Sequence, residues 1–253
     1  MSKVRVLVLR APGTNCDEET EFAFEQAGAE VRRAHINRLV EGTVRLADFQ
    51  VLVIPGGFTY GDDIAAGRVL ANELRRGLGE AVERFVEQGG LILGICNGFQ
   101  VLVKAGILAV NGGRSPVTLT DNDSGRFECR WVYLAANRDS PCVFTEGIEH
   151  LYLPVAHAEG KVVAGGAVPA ANIVLRYAAA DGGPAAGYPQ NPNGSQDDIA
   201  GMCDDTGRIF ALMPHPERFI RANQHPRWTR LGNQGSGDGL KIFENAVRWV
   251  RRL

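Results

Sequence analysis

The chain has 253 residues, with 27 Lys and Arg against 29 Asp and Glu, for a net charge of −2. Hydrophobic residues make up 45% and charged residues 22%, a balance that excludes a disordered chain and suits a globular protein with a sizeable core. Near-neutral charge argues against nucleic acid or a membrane surface as partner, because both select basic patches, and no apolar run approaches the ~18 residues of a membrane span.

The first half alternates strand and helix signals. Residues 4–9 are a β-branched, apolar strand run, broken by Ala11-Pro12-Gly13. Residues 17–27 carry helix formers, and Gly28 is a natural stop. Residues 31–35 make a second strand, and residues 49–54 a buried-type strand ended by Pro55-Gly56-Gly57. Leu74, Leu78, Val82 and Val86 recur every four residues, which predicts a helix over 71–87. Residues 91–95 are a short apolar strand and 97–103 the next helix. This alternation predicts an α/β fold, a mostly parallel central sheet with helices on both faces.

The second half is richer in strands and turns. Residues 127–135 alternate as a half-buried strand, and 151–156, 162–163 and 173–177 could continue a sheet. Residues 182–195 read as loop, 209–213 as a strand ending in Pro214, 221–239 as polar and Gly-rich, and 240–250 as a helix. No repeat or composition break marks a linker, so residues 1–253 read as one domain. Five cysteines, at 16, 96, 129, 142 and 203, form no C-x-x-C. An odd count without that spacing disfavours a disulfide framework or a zinc site and favours reduced thiols in a cytoplasmic protein. Nothing in Met1-Ser2-Lys3-Val4-Arg5 has the form of a signal peptide.

The strongest chemical signal is Leu91-Ile92-Leu93-Gly94-Ile95-Cys96-Asn97-Gly98-Phe99-Gln100. A buried strand, then Gly-x-Cys-x-Gly, then a helix is a nucleophile elbow with Cys in place of Ser. The flanking glycines permit a turn too tight for side chains. A thiol at a helix N-terminus gains from its unpaired N–H groups and dipole, which favour the thiolate and can hold an oxyanion. The plain alternative is a buried structural cysteine. Cys16 also precedes a helix, but Asp17, Glu18 and Glu19 follow it, and like charge disfavours a thiolate there. A thiol nucleophile needs a base, and the base an orienting acid. Pro214-His215-Pro216-Glu217-Arg218 can supply both, because residues two apart in an extended, proline-stiffened loop point to one side. Gly56-Gly57 can aim backbone amides into a site at a strand end, and Gln100 shares a helix face with Cys96. His157 and Glu159, also two apart, form a rival base and orienter. No phosphate loop, G-x-G-x-x-G or H-E-x-x-H occurs, so a nucleotide, cofactor or metal site of the chain's own is not expected.

Pro55-Gly56-Gly57, Gly94-Ile95-Cys96-Asn97-Gly98 and His215-Pro216-Glu217, in this order, resemble the class I (triad) glutamine amidotransferases. Finer segments resemble one branch, the glutaminase subunits of phosphoribosylformylglycinamidine synthases. They include Ala11-Pro12-Gly13-Thr14-Asn15-Cys16-Asp17, Gly56-Gly57-Phe58-Thr59-Tyr60-Gly61-Asp62-Asp63, Ala156-His157-Ala158-Glu159-Gly160 and Asn191-Pro192-Asn193-Gly194-Ser195. The resemblance implies a flavodoxin-like fold and hydrolysis of L-glutamine to glutamate and ammonia. It makes Cys96 the nucleophile, His215 the acid and base, and Glu217 its orienter. It gives the amides of Gly57 and Asn97 to the oxyanion hole and Gln100 to substrate binding. It implies a synthase subunit that uses ATP and Mg, and a small accessory subunit, as partners in purine biosynthesis. The stretch 220–239 looks longer than the family's usual connection into the last helix. It reads as an inserted loop, either mobile or docking the synthase through Trp228 and its neighbours. Two other readings stay open: a stand-alone Cys-triad hydrolase, and a non-catalytic regulatory subunit.

Overall fold

The computed structural model describes residues 3–113, 116–232 and 235–253. Positions 233 and 234 of the expected 220–239 insertion lie outside the described residues. Among the described residues, eleven strands and six α-helices follow one another as β1 (Arg5–Arg10), α1 (Asp17–Gln26), β2 (Glu30–His35), α2 (Ile36–Val40), β3 (Val51–Ile54), α3 (Arg68–Glu87), β4 (Leu91–Ile95), α4 (Asn97–Ala105), β5 (Val117–Thr120), β6 (Glu128–Ala136), β7 (His150–His157), β8 (Lys161–Ala164), β9 (Ile173–Ala178), β10 (Ile199–Cys203), β11 (Ile209–Leu212), α5 (Trp228–Leu231) and α6 (Leu240–Arg251).

Nine strands form one sheet in the order β2-β1-β3-β4-β11-β10-β9-β6-β7. The pairs from β2 through β11 are parallel and those from β11 through β7 antiparallel. Only β10 and β6 therefore run against the other seven strands, as the expected mostly parallel sheet requires. β3, β4, β10 and β11 are buried along their whole length, because helices cover both faces. β7 instead alternates buried and half-buried positions. The crossover β1-α1-β2 moves one way along the sheet and β3-α3-β4 the other. Right-handed crossovers therefore put α1 and α3 on opposite faces. Phe24 of α1 meets Phe243 of α6 edge to face at 4.9 Å. The face of α3 turned to the core carries Leu70, Leu74, Leu78, Val82 and Phe85.

Several elements differ from expectation. β8 pairs with the unforeseen β5 in a separate two-stranded sheet instead of continuing the main one. β10 was also unforeseen. Its sequence, IAGMC, carries small residues in place of β-branched alternation, and its two neighbours bury it. The 221–232 segment contains a 3₁₀ turn at Ala222–Gln224 and the short α5. His225 stacks in an aromatic cluster with Trp131, Tyr152 and Phe219, at centroid distances of 5.6, 5.3 and 5.7 Å.

Strand order reverses between β1 and β3, where open α/β sheets place their sites. The turns after these strands are laced together by the Asn15 and Cys16 amides, which donate to Gly56 O at 3.4 and 3.2 Å. The elbow after β4 depends on two close approaches. A Cβ on Gly98 would lie 1.9 Å from Ile54 O, and one on Gly94 would lie 2.8 Å from Gly98 O. Both obstacles are backbone and cannot rotate away. Gly98→Ala is expected to destabilise the fold by about 1–3 kcal/mol, visible in thermal unfolding as a drop in Tm of several degrees. An unchanged Tm would show that the elbow can shift without cost.

Candidate active site

The carboxyl ends of β1, β3, β4, β7 and β11 point to one edge of the sheet, and the candidate residues gather there. Cys96 is the N-cap of α4, with φ 52° and ψ −105°. A non-glycine residue in that region is strained, and here the surrounding structure holds it. Its amide donates to Leu212 O at 2.8 Å and its carbonyl accepts from Phe99 N at 2.9 Å. The thiol is 5% exposed, 3.8 Å from Ala156 O.

His215 enters from the end of β11, its amide bonded to Pro154 O at 2.8 Å. Pro216–Arg218 then form one 3₁₀ turn. This turn, and not the expected extended loop, brings Glu217 back under the ring. Nδ1 of His215 and Oε1 of Glu217 are 2.6 Å apart, both side chains fully buried. Nε2 of His215 has no hydrogen-bond partner within the described protein. Burial opposes a charge on His215. Glu217, Cys96 and Cys16 outweigh it and raise its pKa well above the ordinary imidazole value. Cys96 is thus among the groups that act on this ring.

Gly57 lies beside the elbow with φ 151°, and a Cβ there would lie 2.7 Å from Gly13 O and 2.9 Å from Asn15 N. Among the described residues the amides of Gly57 and Asn97 have no hydrogen-bond acceptor. The Asn97 side chain ties the loop after β3 to α4. Its Oδ1 accepts from Thr59 Oγ1 at 2.7 Å, and its Nδ2 donates to Asp62 at 3.1 Å and to Gln100 Oε1 at 2.8 Å. Gln100 is buried, and its Nε2 donates to the carbonyl of Glu159. It is neither a solvated helix residue nor a free amide, since both ends of its side chain bond within the protein.

The rival pair does not form. His157 Nδ1 meets Asn122 Oδ1 at 3.1 Å, while Glu159 bonds Lys104 Nζ at 2.8 Å and Ala66 N at 3.1 Å. Cys16 is also placed otherwise than its neighbours suggest. Asp17 pairs with Arg10 at 2.8 Å and Arg33 at 3.2 Å, and Arg33 also holds Glu18 and Glu21. Cys16 Sγ instead lies 4.0 Å from His215 Nδ1 and accepts from Arg218 Nη2 at 2.9 Å. Local sequence could not reveal this, because Arg218 and His215 come from the far end of the chain. Cys16, His215 and Glu217 bring donor atoms within 4.8 Å of one another. The guanidinium on Cys16 and the Nδ1–Glu217 bond make this a hydrogen-bonded network, hostile to a cation.

The model of the CobB/CobQ-like glutamine amidotransferase domain matches residues 3–250. The chain belongs to that family. Within it, the chain is 59% identical over 256 residues to phosphoribosylformylglycinamidine synthase subunit PurQ of Dehalococcoides mccartyi, covering 100% of both chains. It is 41% identical over 267 residues to the subunit of the same name from Methanococcus maripaludis, covering 98% of each. A chain in the structure of PurLQS from Thermotoga maritima superposes with a TM-score of 0.75 at 32% identity, over 98% of this chain and all of that one. At the same sheet edge, His157 is buried at the end of β7. Burial, helped by the nearby His215, pushes the pKa of His157 down to about 3 from 6.5. The unfolded chain therefore binds a proton that the folded chain refuses between those values, and stability falls as pH drops through that window. The ring of His157 should show no NMR titration between pH 5 and 8. A midpoint near 6.5 would contradict its burial as a neutral group.

Proposed function

We propose that this chain is the glutaminase subunit of a phosphoribosylformylglycinamidine synthase, with Cys96, His215 and Glu217 as its catalytic triad. The observation that carries the triad is the state of the His215 ring. Glu217 takes Nδ1, which leaves Nε2 as the atom that can exchange a proton with Cys96 and the substrate. The relatives named above, aligned over their whole length, support the synthase assignment.

The reaction follows from these positions. The Cys96 thiolate attacks the carboxamide carbon of glutamine, and charge develops on the former carbonyl oxygen. The amides of Gly57 and Asn97 receive that oxyanion, each such donor being worth about 3–4 kcal/mol. Imidazolium His215 gives its Nε2 proton to the departing nitrogen, and ammonia leaves as the C–N bond breaks. Neutral His215 then takes a proton from water, whose oxygen attacks the thioester and releases glutamate with the Cys96 thiol. Glu217 fixes the tautomer and steadies the cation throughout. Gln100 is assigned to the glutamine subsite, which it can meet by exchanging its bond to the Glu159 carbonyl.

Ammonia must stay unprotonated to act as a nucleophile, so the catalytic edge is best covered by the synthase subunit. The likeness to a chain of PurLQS supports such an assembly. Around this edge Phe58, Phe127 and Ile64 are exposed, and the rings of Phe58 and Phe127 lie 6.2 Å apart. ATP and Mg are left to the synthase subunit, and a small accessory subunit completes the complex. The five cysteines are free thiols, in keeping with a cytoplasmic location. No helix among the described residues is long and apolar enough to cross a membrane.

In the assembled synthase, Cys96→Ala should abolish glutamine-dependent amidation while added ammonia still supports it. Glu217→Gln should lower glutamine-dependent turnover by on the order of 10³–10⁴-fold, because the amide no longer enforces the tautomer. Glutamine-dependent activity that survives Cys96→Ala would overturn the assignment and favour a regulatory subunit.

A further inference from the structure

Arg218 is a cation beside the proposed triad, with its Nε 4.0 Å from Glu217 Oε1. At that separation it is not in hydrogen-bond contact with the carboxylate. Its guanidinium is held on the other side, where Nη2 donates to Cys16 Sγ at 2.9 Å. The sulfur has a second bond that fixes its orientation, since Sγ donates to Asn15 Oδ1 at 3.1 Å. The position of this sulfur is set by backbone. The Cys16 amide is bonded to Gly56 O, and a Cβ on Gly56 would lie 2.8 Å from His215 Cε1 and 3.2 Å from Cys16 Sγ. The imidazole and the thiol are therefore wedged side by side against a backbone that carries no side chain. Cys16 is fully buried, so solvent does not compete for Arg218 on that side.

We propose that Cys16 is a positioning residue of the glutaminase reaction, whose sulfur holds the Arg218 guanidinium off Glu217. Glu217 thereby makes its close, hydrogen-bonded charge contact with His215 and only a looser one with Arg218. The proposal rests on the triad assigned above and adds a second layer to it. Were Arg218 to close on Glu217, it would neutralise part of the carboxylate and place a cation nearer the imidazolium. Both effects weaken the charged form of His215 and, through it, the Cys96 thiolate. Five groups set that balance: Glu217 and Arg218 on the turn of His215 itself, Cys96 from the elbow, Cys16 from the β1–α1 turn and His157 from the end of β7.

The test is the pH profile of glutaminase kcat/KM in the assembled synthase. Cys16→Ala should narrow the active window from both sides, by about half a unit or more on each limb. The acid limb rises because the thiolate loses support, and the alkaline limb falls because the imidazolium does. Cys16→Ser retains an acceptor for Arg218 and should restore the wild-type window. In an Arg218→Ala background the cation is gone, and Cys16→Ala should then move both limbs clearly less than it does beside Arg218, leaving only the direct effect of the thiol on the ring. Arg218→Ala alone leaves Cys16 intact and should keep or widen the window, which tests the proposal even if Cys16→Ala does not fold. A loss of turnover in Cys16→Ala with both limbs unmoved, equal shifts with and without Arg218, or narrowing by Arg218→Ala would each overturn it. Failure of the triad itself shows separately in Cys96→Ala, where Cys16 and Arg218 are untouched.

Discussion

The hydrogen bond between Nδ1 of His215 and Oε1 of Glu217, 2.6 Å long and sealed from solvent, is the interaction on which the site depends. Burial without a charged partner favours the neutral form of an imidazole, which is why the pKa of His157 is pushed down. A buried carboxylate beside His215 reverses that outcome and keeps the ring charged. Removing one partner of such a pair costs about 3–5 kcal/mol, since the other is left uncompensated. The same fold thus shifts the pKa values of two buried histidines in opposite directions. Asn122 faces one of them and Glu217 the other.

The sheet delivers the participants. Parallel strands that start far apart in the sequence end on the same edge, so turns after β1, β3, β4 and β11 meet there although two hundred residues separate the first from the last. Each turn is tied down by backbone more than by side chains. Gly98 packs against Ile54 O, Gly57 against Gly13 O, and the amides of Asn15 and Cys16 bond to Gly56 O. Such contacts leave no space for a Cβ, and they hold Cys96 in its strained conformation without help from the substrate.

Much of this was legible in residue order. The Gly-x-Cys-x-Gly spacing after an apolar strand requires the elbow, and His-x-Glu after another apolar strand brings an imidazole and a carboxylate into contact. The runs at 4–9, 49–54 and 91–95 became strands within a residue or two. What stayed hidden was long-range. The acids after Cys16 made it look electrostatically unfit, but Arg10 and Arg33 take them up and the sulfur faces Arg218. His157 and Glu159 look like a pair by spacing, and each bonds a different partner. β10 was missed because burial between two strands, and not its own composition, makes IAGMC a strand. The turn at Pro216–Arg218 shows that a proline can open a 3₁₀ turn as well as stiffen an extended loop.

Two thiols flank one histidine, and only one of them stands at the elbow. Mass spectrometry of the assembled synthase after reaction with a glutamine-analogue alkylator addresses that choice directly. The account predicts a single adduct on Cys96 that excess glutamine prevents. An adduct on Cys16, or one on Cys96 that glutamine does not suppress, would contradict it.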